Sequence, residues 1–247
     1  MPDQHKPESE HAVMTDLKGK VVIITGAAGN LGQAVAAAFA RAGARRVLVD
    51  RAGGQLAKLY PGADDLLMDN IDLGDEQPAR QLVEAAVQRF GRIDVLVNTV
   101  GGFAGGKPVH EDGTEIWEQM FRINLHTTLH ACRAAIPVFL RQGAGSIVNV
   151  AARAALTGVP TLGAYCASKS AVIRLTESLA GELKDRGITV NCVLPGTIDT
   201  PQNRRDMPNA DFSKWVPAAA IADAILFLSS DAARAVTGAA LPVYGRS

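Results

Sequence analysis

The stretch Val21-Val-Ile-Ile-Thr25-Gly-Ala-Ala-Gly-Asn-Leu-Gly32 decides the fold. Its first five residues are a continuous apolar and β-branched run, the pattern of a strand buried on both faces. The small residues behind it lead directly into an alanine-rich segment, 31–41, that reads as a helix closed by Gly43. A turn of small residues between a strand and a helix lets the backbone approach a pyrophosphate. At the helix N-terminus, unpaired amides and the helix dipole favour an anion. Gly26, Asn30, Leu31 and Gly32 are therefore candidate nucleotide contacts. An ordinary glycine turn is the plainer reading, and the strand-to-helix placement argues against it.

Working outward, the same alternation repeats. Strand-like runs lie at 46–50, 64–68, 93–97, 146–150, 188–194 and 240–243. Between them, helical patterns lie at 75–90, 115–140, 164–186 and 217–230, the second interrupted near Pro137. Alternating strands and helices predict an α/β fold, a doubly wound parallel sheet of about seven strands with helices on both faces. The sequence carries no linker or repeat, so residues 16–247 read as a single domain. Residues 1–15 are polar and lack an apolar segment of the kind a secretion signal needs, and read as a flexible tail. In such a sheet, ligands sit beyond the carboxyl ends of the strands. The chemistry-bearing residues cluster there.

Composition narrows the partners. The chain has 247 residues, 47% of them apolar, with 25 basic and 25 acidic side chains. A zero net charge without a basic block argues against nucleic acid. No apolar run reaches the length of a membrane helix. Three scattered cysteines, Cys132, Cys166 and Cys192, do not form a disulfide framework and fit a reducing cytoplasm. Cys166 adjoins Tyr165 on a helix and so points about 100° away from it, as a small core residue. His126 and His130 stand at metal-ligand spacing without a third ligand, so we expect no metal and an interface or surface role for the pair.

Tyr165 and Lys169 are four residues apart, one helical turn, and emerge on the same face. Free tyrosine titrates near ~10, and a neighbouring ammonium favours the phenolate. The pair is thus a route to a proton donor usable near neutral pH. Asp50, at the end of the second strand, can accept hydrogen bonds from ribose hydroxyls and would repel a 2′-phosphate. That favours NAD(H), while the following Arg51 keeps NADP(H) in play. The run Asn98-Thr-Val-Gly-Gly-Phe-Ala-Gly-Gly106 has the glycines of a loop that lies flat against a cofactor. Phe103 within it is placed to stack on a planar substrate or to anchor the loop. Phe212 and Trp215 flank a segment that would either close over substrate or be packed down by them.

These pieces together resemble the short-chain dehydrogenase/reductase family, a single-domain, Rossmann-like fold. The resemblance rests on the Gly-rich loop, Asp72 with Leu73, Asn98 with Thr99 and Val100, Asn124, Tyr165, Lys169 and Pro195-Gly-Thr-Ile-Asp-Thr200. It implies that Tyr165 gives or takes the proton. Lys169 would hold the nicotinamide ribose and lower the tyrosine pKa, and Asn124 would support a water in the relay. Asp72 would meet the adenine, and the backbone of Pro195, Gly196, Thr197, Ile198 and Thr200 would meet the carboxamide side. It further implies a homo-oligomer, usually a tetramer, acting on a small molecule.

Two departures stand out. The family's loop has glycine where this chain has Asn30, and asparagine tolerates left-handed backbone better than most residues. The family's catalytic serine corresponds to position 152, thirteen residues before the tyrosine, and here that residue is Ala152. Arg153 and Thr157 are the nearby candidates for a substitute donor. A branch of the family, the dihydropteridine reductases, also lacks this serine. The chain resembles that branch at Ala152, in the Gly101–Gly106 loop around Phe103, and in the segment 199–215. That likeness implies a pterin-like or quinonoid acceptor, and a dimer in place of a tetramer. The other readings are a general ketone/alcohol enzyme, for example of the 3-oxoacyl reductase kind, and an NAD(H)-binding protein without catalysis.

Overall fold

The computed structural model describes residues 16–61 and 64–246, so the expected tail at 1–15 lies outside it. Six strands open the sheet: β1 (Val21–Thr25), β2 (Arg45–Val49), β3 (Leu66–Met68), β4 (Val95–Asn98), β5 (Gly145–Val150) and β6 (Ile188–Pro195). The chain then forms two short strands, β7 (Ile198–Asp199) and β8 (Val216–Pro217), which pair with each other. It returns to the main sheet as β9 (Ala240–Val243). The spatial order is β3-β2-β1-β4-β5-β6-β9, with every pairing parallel.

Strand alternation explains the continuous apolar run of β1. Val22 and Ile24 face one side, against Val35 and Phe39 of α1 (Asn30–Arg41) and Ile221 and Ile225 of α8 (Ala218–Leu228). Val21 and Ile23 face the other, with Leu82 of α3 (Glu76–Phe90), Phe139 of α5 (Thr127–Gln142) and Leu183 of α6 (Gly163–Leu183). All four strand side chains have zero exposure. Each such burial contributes about 1.5–3 kcal/mol, which is why neither face tolerates a polar residue. The described helices also include short α2 (Leu56–Leu59), α4 (Thr114–Phe121) and α7 (Pro201–Asp206). Neither α2 nor the β7–β8 pair was expected. Both are too short for a periodic pattern to register.

The long helical pattern at 115–140 is interrupted, but not at Pro137. That proline lies inside α5 on an exposed position, where water can serve the carbonyl it leaves unpaired. The break falls between α4 and α5, as a π-helical turn over Arg122–His126. The amide of Thr127 bonds the carbonyl of Arg122, five residues back. The hydroxyls of Thr127 and Thr128 donate to the carbonyls of Ile123 (2.8 Å) and Asn124 (3.1 Å). A wide turn loosens those carbonyls, and the threonine pair supplies their donors.

Candidate functional site

The strand order reverses between β1 and β4, and a cleft of 460 Å³ opens at their carboxyl ends. Its walls come from the Gly26–Gly29 turn, from Asp50 and Arg51 after β2, from Asp72, Leu73 and Gly74 after β3, and from Thr99, Val100 and Gly101 after β4. The π-helical turn closes it with Arg122 and Ile123.

The glycine turn is built for close approach. Gly26 has φ of 66°, and a Cβ there would stand 3.0 Å from Thr99 Oγ1 and 3.1 Å from the Val100 amide. A Cβ on Gly32 would collide with the Gly26 carbonyl and come within 2.8 Å of Ala27 Cα. Asn30 is not left-handed; it is the first residue of α1, in right-handed helical backbone. The loop therefore tolerates Asn30 because no positive φ is required there, not because asparagine can adopt one. No side chain caps the α1 N-terminus, so the amides of its first turn, at Asn30, Leu31 and Gly32, have no side-chain partner, and such a helix end favours an anion. Tyr60, unforeseen from sequence, steadies the turn by donating its hydroxyl to the Ala27 carbonyl at 2.7 Å. Burial pushes that phenol up to about 12.

Two carboxylates mark the cleft. Asp50 accepts from the backbone amides of Ala28 (2.9 Å) and Ala52 (3.0 Å), which pins it between the turn and β2. Arg51 beside it is exposed. Asp72 accepts from the Gly74 amide at 2.8 Å and from Arg122 Nη2 at 3.2 Å.

At the other end of the cleft, Gly101 bridges the nucleotide walls to the polar residues of α6 and the π-helical turn. A Cβ on it would lie 3.0 Å from Lys169 Nζ and 3.1 Å from Asn124 Oδ1. Asn124 is fully buried. Its oxygen accepts from the Gly102 amide (2.9 Å), and its amide donates to the Gly102 carbonyl (3.1 Å) and Ser168 Oγ (3.0 Å). It clamps the loop after β4 onto α6. Lys169 is 5% exposed and donates to the Val150 carbonyl at 2.9 Å. Burial lowers its pKa to about 8. Tyr165, half-buried, has its phenol pushed up to about 12 by desolvation. That is opposite to the sequence expectation. Burial governs this phenol, and the Lys169 ammonium is held at the Val150 carbonyl, at the end of β5. Phe103, 66% exposed, sets its ring edge against Tyr165 with centroids 5.0 Å apart. Ala152 is buried at the end of β5, in extended backbone that any residue adopts.

Other candidates lie elsewhere. Asn98 turns into the sheet, donating to Asn149 Oδ1 at 2.9 Å, so its neighbours Thr99 and Val100 line the cleft in its stead. The cleft lining reaches Gly101 and Ile123, so that Asn124, Tyr165 and Lys169 lie beyond it, as do Pro195, Gly196, Thr197, Ile198 and Thr200, and the Thr200 hydroxyl caps α7 by accepting from the Asn203 amide. Trp215 is buried and packs on Phe212 with ring centroids 4.7 Å apart, and the Arg204 guanidinium lies over the Phe212 ring. These contacts pack the segment onto itself. Arg153 lies over the ring of Tyr244 at 5.2 Å, and Thr157 is exposed. His130 Nδ1 is 3.0 Å from the Leu73 carbonyl, and its ring lies 6.0 Å from that of His126. The cysteines are buried thiols. Desolvation pushes Cys132 up to about 12 and Cys192 to about 11, which leaves both unreactive. Among the residues that sequence missed, Arg122 had no motif to announce it.

Comparison with known proteins agrees with this architecture. The family model for short chain dehydrogenases matches residues 20–211. The chain belongs to that family. It is 36% identical over 243 residues to 2-(R)-hydroxypropyl-CoM dehydrogenase of Xanthobacter autotrophicus, covering 92% of this chain and 97% of that one. It is 35% identical over 244 residues to a 2,5-dichloro-2,5-cyclohexadiene-1,4-diol dehydrogenase of Sphingobium indicum, covering 93% and 96%. Carveol dehydrogenase from Mycobacterium avium, solved in complex with NAD, superposes with a TM-score of 0.84 at 30% identity, covering 93% and 98%. The protein is thus an oxidoreductase with a nicotinamide cofactor and a small-molecule substrate. The cleft fits such a cofactor, since its turn admits no side chain at Gly26 or Gly32 and the α1 N-terminus beside it is uncapped. Among the described residues no helix is long and apolar enough to cross a membrane.

Proposed function

We propose that this enzyme transfers hydride between NAD(H) and a small cyclic, electron-poor acceptor of quinonoid or pterin-like kind, with Tyr165 as the proton donor or acceptor. The nicotinamide, when bound, supplies or takes the hydride. Tyr165 holds its proton throughout the neutral range, which suits an acid that protonates an acceptor as it is reduced. Lys169 is anchored by the Val150 carbonyl and still largely charged at neutral pH, so it serves as the cation under the cofactor ribose and the tyrosine. Asn124 holds the glycine loop in place between them. Asp50, pinned by two amides, presents a negative charge to the adenosine end and supports NAD(H) over NADP(H).

Ala152 carries the choice of acceptor. A donor to a developing oxyanion is worth about 2.7–4 kcal/mol, so a simple ketone lacking it would react ~100- to 1,000-fold more slowly. A quinonoid ring is already electron-poor and regains aromaticity on accepting hydride and a proton, so it needs less polarisation. The surroundings support a ring substrate. Phe103, Val109, Leu156, Val159 and Met207 are exposed large apolar side chains, all on segments following β4, β5 and β6. The relative named for a cyclohexadiene-diol points the same way. A general ketone/alcohol activity, as in a 3-oxoacyl reductase, is the competing reading. We further take the enzyme to be a cytoplasmic homo-oligomer, a tetramer or, on the pterin-like reading, a dimer; three unpaired buried thiols suit a reducing compartment.

The deciding assay follows NADH oxidation against quinonoid dihydropterin, small quinones and a panel of simple ketones. Turnover of the conjugated acceptors at least ~100-fold above that of the ketones is expected. Rapid reduction of simple ketones by the unaltered enzyme would overturn the reading of Ala152.

A further inference from the structure

Arg122 stands at the cleft wall with no part in the proton relay. It opens the π-helical turn, two residues before Asn124, and its guanidinium reaches across to the turn that follows β3. Nη1 donates to the Gly74 carbonyl at 3.1 Å and to Asp75 Oδ1 at 3.0 Å. Nη2 donates to Asp72 Oδ2 at 3.2 Å and to Asp75 Oδ2 at 3.3 Å. The fork lies flat on Gly74, where a Cβ would come within 2.6 Å of its Cζ. Asp75 in return is held below the usual carboxylate range by that guanidinium.

An isolated exposed ion pair contributes little. Here one planar fork takes two carboxylates and a carbonyl, a geometry that fixes position as well as charge. The same cation offsets carboxylates at the edge of a cleft meant for an anion. Asp50 and Asp72 both line that cleft. Without Arg122, the 72–75 turn would carry two uncompensated negative charges toward an incoming dinucleotide.

We infer that Arg122 is a cofactor-positioning residue: it locks the 72–75 turn and neutralises it, so that Asp72 and Leu73 present a fixed wall to the adenosine half of the cofactor. This rests on the reading that the cleft takes a dinucleotide with its adenosine at Asp72. The π-helical turn then grips both ends of the cleft, through Arg122 at the adenosine side and through Asn124 at Gly102.

Calorimetric titration with ADP-ribose, which carries no nicotinamide, tests this apart from turnover. The Arg122→Gln enzyme binds ADP-ribose about 10-fold more weakly, while kcat at saturating NADH changes by less than about twofold. Arg122→Lys recovers less than half of the lost affinity, because a point charge cannot hold two carboxylates and a carbonyl together. Circular dichroism of each variant establishes that it is folded, and Arg122→Met, which keeps the aliphatic stem and loses the fork, weakens binding about 10-fold and provides the test should Arg122→Gln fold poorly. Unchanged affinity in a folded Arg122→Gln or Arg122→Met, full recovery by lysine, or a fall in kcat matching the fall in affinity would overturn the inference. If the unaltered enzyme itself fails to bind ADP-ribose, it is the placement of the dinucleotide that fails, and the two failures are distinguishable.

Discussion

At the residue scale, Lys169 shows a functional group held at a cost to the fold. Its folded pKa of about 8 lies below the ordinary 10.5, so burying the charged form costs about 3 kcal/mol at neutral pH. The sign follows from linkage: between pH 8 and 10.5 the unfolded chain binds more protons than the native one, so stability rises with pH over that window. Replacing Lys169 with Met removes the buried cation and also the bond to the Val150 carbonyl, worth about 1 kcal/mol. The variant should melt a few degrees higher at pH 7, lose that advantage by pH 10.5, and lose turnover throughout. Thermal melts across this range check it, and a lower melting point at pH 7 would sink the account. Ala152 gives the complementary test. Ala152→Ser adds one hydroxyl in backbone that accepts any residue, and should raise kcat/KM for simple ketones by about 100-fold while leaving conjugated acceptors nearly unchanged. Both residues were legible as identities. What sequence misjudged was Tyr165, because adjacency to a lysine predicts a lowered phenol, whereas its depth in the protein raises it.

At the element scale, the β1–α1 turn was readable almost to the residue, since its constraints are local. Gly32 is required because its missing side chain lets α1 start against the Gly26 carbonyl. Gly32→Ala must shift backbone, and should cost about 1–3 kcal/mol of stability and weaken cofactor binding more than about 10-fold. Denaturant unfolding and NADH titration measure the two effects; a variant unchanged in both would mean the turn is not tight. The π-helical turn was not readable as such. Proline is a strong local signal, and it drew the expected break to 137. The turn at Arg122–His126 has local support in Thr127 and Thr128, which serve carbonyls four residues back as threonine can in any helix, and it also holds Asn124 against Gly102, a contact that only packing creates.

At the scale of the whole molecule, parallel order β3-β2-β1-β4-β5-β6-β9 brings four separate turns to one crevice. A cofactor binding across them should stabilise the fold as a unit, by about 2.7 kcal/mol at a hundred times its Kd. NADH should therefore raise the melting temperature by several degrees. NADPH at the same concentration should raise it less, because its 2′-phosphate meets the Asp50 carboxylate pinned by Ala28 and Ala52. Equal shifts would refute that assignment, and Asp50→Ser should narrow the gap.

The alternation of buried strands and helices, the tight turn after β1, the Tyr165–Lys169 register and the absence of a hydroxyl at 152 are all written in the linear order of residues, because each is a matter of neighbours in the chain. Which way Asn98 faces, the packing of Trp215 within its own segment, the grip of Arg122 on the far wall of the cleft and the hold of burial on the protons of Tyr165 and Lys169 emerge from the folded arrangement alone. Those depend on groups tens of residues apart meeting in a desolvated interior, where dielectric and geometry are set by the whole fold.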